Sequence, residues 1–167
     1  MSLFYESKQG TSYVTSQHVL NFLNKALGEQ AATLRAEDGG SDAMFYGHRV
    51  ELKQRQNTYF VDIFEGHKKP HKETTIHKSA TEHGSELFII YDLGLRYVQV
   101  FLASDLNEYN SEFNRYENTE VGGAKIKYVT VDTDKTWFID LLDKRGAREA
   151  VKLILKKLED CNKKALS

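Results

Sequence analysis

The sequence predicts an α/β domain with a central mixed β-sheet flanked by helices, and three observations predict it. Apolar residues recur at helical spacing near both ends, as Val19, Leu20, Phe22, Leu23, Ala26 and Leu27 and again as Ala147, Val151, Ile154, Leu155 and Leu158. Strand formers lie on either side of a tight turn in Ala43 to Tyr46 and Arg49 to Arg55. Two apolar runs, Leu87 to Tyr91 and Tyr97 to Leu102, are short enough for buried strands and are separated by Asp92-Leu93-Gly94.

Taken in order, the first helix is expected to begin near Thr15 or Ser16, which can cap it, and to end at Gly28. Ala31 to Glu37 reads as a first strand, turned by Asp38-Gly39-Gly40 into the strand that carries Asp42. Gly47-His48 suits a two-residue hairpin turn, with glycine at its first central position. Tyr59 to Phe64 reads as extended. Pro70, the single proline, marks the approach to a helix from about Lys72 to His83 that Gly84 ends. Asp105 and Glu108 form a capping box for a short helix carrying Leu106, Tyr109 and Phe113. Asn118 to Gly123 reads as a loop and Ile126 to Val131 as a strand. Trp137 to Leu142 is apolar without a clear period, and the last helix is expected from about Arg145 to Cys161.

The hairpin carries the chemistry. With the turn at Gly47-His48, Tyr46 pairs with Arg49, Met44 with Glu51 and Asp42 with Lys53. Side chains alternate along a strand and cross-strand partners share a face, so Asp42, Glu51 and Lys53 converge while Val50 and Leu52 point the other way. A one-residue slip in register would send Asp42 to the opposite side. Two carboxylates and the Leu52 carbonyl supply the hard oxygen ligands that Mg2+ or Mn2+ prefers, with positions left for water and a phosphate oxygen. Lys53 beside such an ion can orient or activate the water and offset negative charge as a phosphodiester is attacked.

On these residues the chain resembles the PD-(D/E)xK, or restriction-endonuclease-like, nuclease superfamily. Asp42 stands as the first acid, and Glu51 with Lys53 as the acid-x-lysine pair. The order of elements is also similar: a helix, a three-strand meander, a helix and a further strand. The resemblance covers roughly residues 10 to 105, and residues 106–167 form a C-terminal strand and helix extension of the same single domain. It implies a metal-dependent endonuclease hydrolysing DNA, with Asp42, Glu51 and the Leu52 carbonyl on the metal. Asp42, Glu51 and Lys53 would be the catalytic set, and Arg55, Lys68, Lys69 and Lys72 would contact the nucleic acid. Many members act as dimers, so a homodimer is compatible with it. Two departures stand out. Ser41 occupies the place where the family often has proline, and Val14 occupies the place on the first helix where many members carry an extra glutamate; Glu6 and Glu29 are poor substitutes. A non-catalytic nucleic-acid-binding or protein-interaction domain, of this or an unrelated α/β fold, is the alternative.

Composition narrows the setting. The 167 residues suit one domain with one core. A hydrophobic share of 40% with 28% charged residues is that of a globular protein. No stretch is apolar enough to span a membrane, and MSLFYESKQG does not read as a secretory signal. The lone Cys161 cannot form an internal disulfide, which points to a cytoplasmic, intracellular protein. A net charge of −1 exerts no overall pull on nucleic acid. Charge is nevertheless uneven, since the last helix is rich in lysine while acids outnumber bases between Glu86 and Asp140. His67, His71, His77 and His83 crowd together among lysines, but Pro70 breaks the spacing and no cysteine joins them, so a plain exposed polar segment is the commonest reading and contact with a phosphate backbone suits them better than zinc. Gln54 points away from the carboxylate face, and Asp62 is a spare acid near the sheet.

Overall fold

In a computed structural model of the chain, the described residues are 8–35, 42–55, 60, 63–64, 72–108, 120–121, 124–125 and 128–166. Helix α1 (Lys8–Leu27) starts earlier than its caps suggest and ends at Gly28, whose φ of +75° allows its N–H to reach the Asn24 carbonyl. The buried Asn24 side chain then fastens the next segment. Its amide donates to the Ala32 carbonyl at 2.8 Å, and its oxygen accepts from the backbone N–H groups of Ala31 and Ala32 at 2.8 and 2.7 Å. Strand β1 (Ala32–Leu34) is thereby set against the end of α1.

A meander follows through β2 (Ala43–Phe45) and β3 (His48–Arg55), both antiparallel to their predecessors. The turn between β2 and β3 is Tyr46-Gly47, not Gly47-His48. Phe45 pairs with His48, Met44 with Arg49 and Ala43 with Val50. Both turn residues have positive φ, +47° and +81°, the backbone of a type I′ turn, whose twist matches that of the strands. Tyr46 accepts this conformation with its ring edge against Phe45 and its hydroxyl donating to Glu29.

Strand β4 (Glu73–His77) precedes β5 (Leu87–Asp92), which runs parallel to β3, and β6 (Tyr97–Leu102) returns antiparallel. Short strands β7 (Asn107–Glu108), β8 (Glu120–Val121) and β9 (Ala124–Lys125) lead to β10 (Tyr128–Asp132), β11 (Trp137–Asp140) and the long α2 (Lys144–Leu166). The main sheet has the order β1-β2-β3-β5-β6-β11, mixed and mostly antiparallel; β4-β10-β7 form a second sheet and β8-β9 a small ribbon.

Several expectations are corrected. Phe60, Ile63 and Phe64 are helical rather than extended, so helical structure lies earlier in the crossover between β3 and β5 than expected. The segment read as a helix from Lys72 to His83 is instead β4 followed by a 3-10 turn, Lys78–Thr81. Its alternation, Thr74 and Ile76 inward against Glu73 and His77 outward, pairs with β10, and that distant partner overrides local helix propensity. Asp105 and Glu108 do not box a helix. A 3-10 turn ends at Asp105 and β7 follows, and Asp105 instead holds Lys157 of α2 at 2.8 Å. The unassigned segment at Trp137 pairs with β6 as an edge strand. The turn expected at Asp38-Gly39-Gly40 lies outside the described residues.

Two cores result. The first joins α1 and α2 to one face of the main sheet through Leu20, Leu23, Val50, Leu52, Ile89 and Ile154. Both long helices therefore share a face, and the helical residues Phe60 and Phe64 pack on the other. The second core fills the other face with Phe60, Ile76, Phe88, Ile90, Phe101 and Val131, closed by the small sheet. Because α2 and β11 complete the first core and the main sheet, the C-terminal extension is integral to the fold. No helix among the described residues is long and apolar enough to cross a membrane.

Candidate metal centre on strand β3

Strand β3 divides its side chains as its period-two pattern requires. Val50 and Leu52 are buried in the helix-side core, while Glu51, Lys53 and Arg55 fall on the other face. Carried one step beyond Ala43, the observed register sets Asp42 across from Glu51 rather than Lys53. Moving the turn centre by one residue displaces every cross-strand partner by two positions, and a shift of two preserves the face. Asp42 thus remains beside Glu51 and Lys53 even though its partner differs from the expected one.

Strand β2 begins at Ala43, so the backbone of Leu52 faces past its end. The Leu52 N–H finds the Asp42 carboxylate instead of a strand, donating to Oδ2 at 2.9 Å. N–H and C=O of one strand residue point to the same side, so the Leu52 carbonyl faces the edge where Asp42 lies. Glu51 is 6% exposed, with Oε1 at 3.6 Å from the Lys53 ammonium and Oε2 buried without a hydrogen-bond partner. Burial pushes the Glu51 carboxyl up to about 7, the neighbouring Asp42 charge pushes the same way, and Lys53 partly offsets both. Two carboxylates here cannot both ionise cheaply without a proton or a cation between them. The donor set therefore fits a hard divalent ion: the orphaned Glu51 Oε2, the Asp42 carboxylate and the Leu52 carbonyl are all oxygens. Among the described residues no group of three or more His, Cys, Asp and Glu side chains gathers, so a third ligand of those types would have to come from elsewhere.

Other singled-out residues fall as follows. Arg55 lies on the Glu51 face as expected, but its guanidinium donates to the Thr75 carbonyl at 2.6 Å and ties β3 to β4. Lys72 is exposed at the approach to β4, where its carbonyl accepts from Thr133 at 3.0 Å. Lys68, Lys69, Asp62, His67, His71, Ser41 and Glu6 lie outside the described residues. Glu29 is engaged with Tyr46 at the turn, and Val14 lies within α1. His77 and His83 are exposed, on β4 and after the 3-10 turn, and they join no zinc-like cluster among the described residues. Gln54 is exposed on the face opposite Glu51, and Cys161 is half-buried near Ser104.

Sequence reasoning missed two neighbours of this centre. Tyr91, on β5, points into the helix-side core; burial raises its hydroxyl pKa, a hydrogen bond with Ser16 of α1 opposes that, and the charge of Asp42 adds to the rise. His77, assigned to a helix, instead ends β4 close enough to Lys53 and Arg55 to feel both charges. The alternation in Glu73 to His77 was the available signal for the second, whereas nothing local pointed to the first. The chain matches no protein-family model, no curated protein and no solved structure.

Proposed function

We propose that the chain is a magnesium- or manganese-dependent nuclease hydrolysing DNA phosphodiester bonds, built on a restriction-endonuclease-like core of α1, the β1-β2-β3 meander and the parallel strand β5. The observation that carries this reading is the buried, unpartnered Glu51 Oε2 beside a second carboxylate and a lysine. A buried acceptor without a partner costs about 1–3 kcal/mol, and a cation held between the two carboxylates would offset that cost.

Asp42, Glu51 and the Leu52 carbonyl would hold the ion. When bound, it would supply positive charge against the attacked phosphate and a water of lowered pKa. The Leu52 N–H keeps Asp42 in place during this task. The Lys53 ammonium, 38% exposed and within reach of Glu51, can orient the attacking water and take up charge as the phosphorus is attacked. Arg55 holds β4 beside the centre through Thr75. Because a proton competes for Glu51 until about pH 7, the apparent affinity for magnesium should rise with pH through that value.

The test is cleavage of duplex and single-stranded DNA with magnesium, with manganese and in excess chelator. Cleavage that persists undiminished in chelator would show that the chemistry is different. A non-catalytic nucleic-acid-binding domain is the second reading, favoured by the presence of only two acids in the centre among the described residues. It predicts DNA binding with no metal-dependent product and no loss of binding in Asp42→Asn.

A further inference from the structure

β4 is an edge strand. It pairs with β10 on one side, and on the other side its Thr75 carbonyl meets Arg55 of β3. Backbone groups two residues apart on a strand face the same way, so the N–H and C=O of His77 are directed toward the same edge as the Thr75 carbonyl. The His77 side chain is exposed and lies edge-on to Tyr128, its cross-strand partner, with ring centroids 5.0 Å apart. The end of β4 thus lies against the end of β3, with Lys53 and Arg55 near His77.

We propose that His77 forms a phosphodiester-binding subsite at the end of β4, near Lys53 and Arg55, taking a backbone phosphate of the nucleic acid next to the one attacked. This rests on the nuclease reading for its substrate, but it concerns binding and not hydrolysis. Partial burial, and after it the nearby charges of Lys53 and Arg55, hold the imidazole pKa below the ordinary 6.5. The shift favours the neutral ring, which can donate one hydrogen bond to a phosphate oxygen without competing with Lys53 for the counter-charge. His77 is thereby a binding residue and takes no part in proton transfer.

The experiment follows imidazole resonances by NMR in the full chain without metal, titrated with a short DNA oligonucleotide and separately with inorganic phosphate. His77→Gln identifies the His77 signal by its loss. The expected result is a saturable shift of the His77 resonance with the oligonucleotide, accompanied by a rise in its pKa, while His18 and His48 stay unmoved. A shift with inorganic phosphate alone would show that the subsite reads the phosphate group and needs no nucleotide. In cleavage assays His77→Ala should raise KM about ten- to a hundredfold, the loss of one hydrogen bond to a charged group, with kcat nearly unchanged. Saturable shifts in a chain that never cleaves would leave the subsite standing and remove the nuclease reading. Metal-dependent cleavage with an unperturbed His77 signal and an unchanged KM in His77→Ala would do the reverse and overturn the subsite.

Discussion

The two faces of the main sheet are built from the same strands and differ in one respect. Where α1 and α2 cover it, the face is apolar across the central strands, with Ala43, Val50, Leu52, Leu87 and Ile89 in continuous contact. The face toward the small sheet is apolar over β5 and β6, at Phe88, Ile90 and Phe101; on β3 it changes to Glu51, Lys53 and Arg55, and on β6 it holds the buried Gln99. Gln99 shows how a structural polar group is treated, since its amide donates to Thr74 at 2.8 Å and links the two sheets. Glu51 and Gln99 each leave one buried oxygen without a hydrogen-bond partner, and Glu51 differs in carrying a charge that is only partly offset. Gln99 and Arg55 each tie one element to another, whereas Glu51 and Lys53 face each other along a single strand at 3.6 Å.

The contrast is most sharply tested by Asp42→Asn. It keeps the shape and removes the charge, so metal-dependent cleavage should fall on the order of a thousandfold, about 4 kcal/mol of transition-state stabilisation, with a melting temperature close to wild type. Turnover that survived this change would remove Asp42 from the centre. On the helix face Leu20→Ala should have the opposite profile. It opens a cavity in a core where Leu20 is 1% exposed and should cost about 2–5 kcal/mol of stability by denaturant unfolding, while the magnesium requirement of the remaining folded protein stays as it was.

Lys53→Ala should lie between these. Single-turnover rate should drop about a hundredfold while DNA affinity changes only a few-fold, because its partners are the water and the charge that develops in the transition state. If affinity alone fell, Lys53 would belong with the phosphate-binding groups. The smallest effect distinguishes the faces by pH. The folded pKa of Glu51 is raised from 4.5 to about 7, so the folded state holds a proton that the unfolded state has released. Metal-free stability is therefore lost as pH rises from about 4.5 to 7 and is level above that. Glu51→Gln should flatten this decline and be more stable than the wild type at pH 8 by roughly 1–2 kcal/mol, after allowing for solvent screening. Added magnesium should raise the melting temperature of the wild type at pH 8 and leave that of Glu51→Gln unchanged. A pH-independent difference between the two proteins would mean that Glu51 is not the titrating group.

How much of this was legible in the residues can be judged at three places. The convergence of Asp42, Glu51 and Lys53 followed from parity, which any turn shift of one residue preserves, so it held although the register did not. The register itself was not legible. Gly47 can occupy either central position of a two-residue turn, and the choice fell to the type I′ geometry that Tyr46 accepts through its contacts with Phe45 and Glu29. The segment from Lys72 to His83 has helix-forming lysine, glutamate and alanine, and its true state depends on β10, more than fifty residues away in sequence.

By itself the sequence determined the amphipathic helices, the buried strand pair β5–β6 and the face on which the acids of β3 would lie, because each depends on a period of 3.6 or 2 that neighbouring residues already carry. Only the tertiary structure decided that both long helices cover one face, that β4 leaves the helical state to build a second sheet, and that Glu51 is buried enough to be held near pH 7. Burial, pairing and proximity of charge are properties of residues far apart in the chain, and no local pattern specifies them.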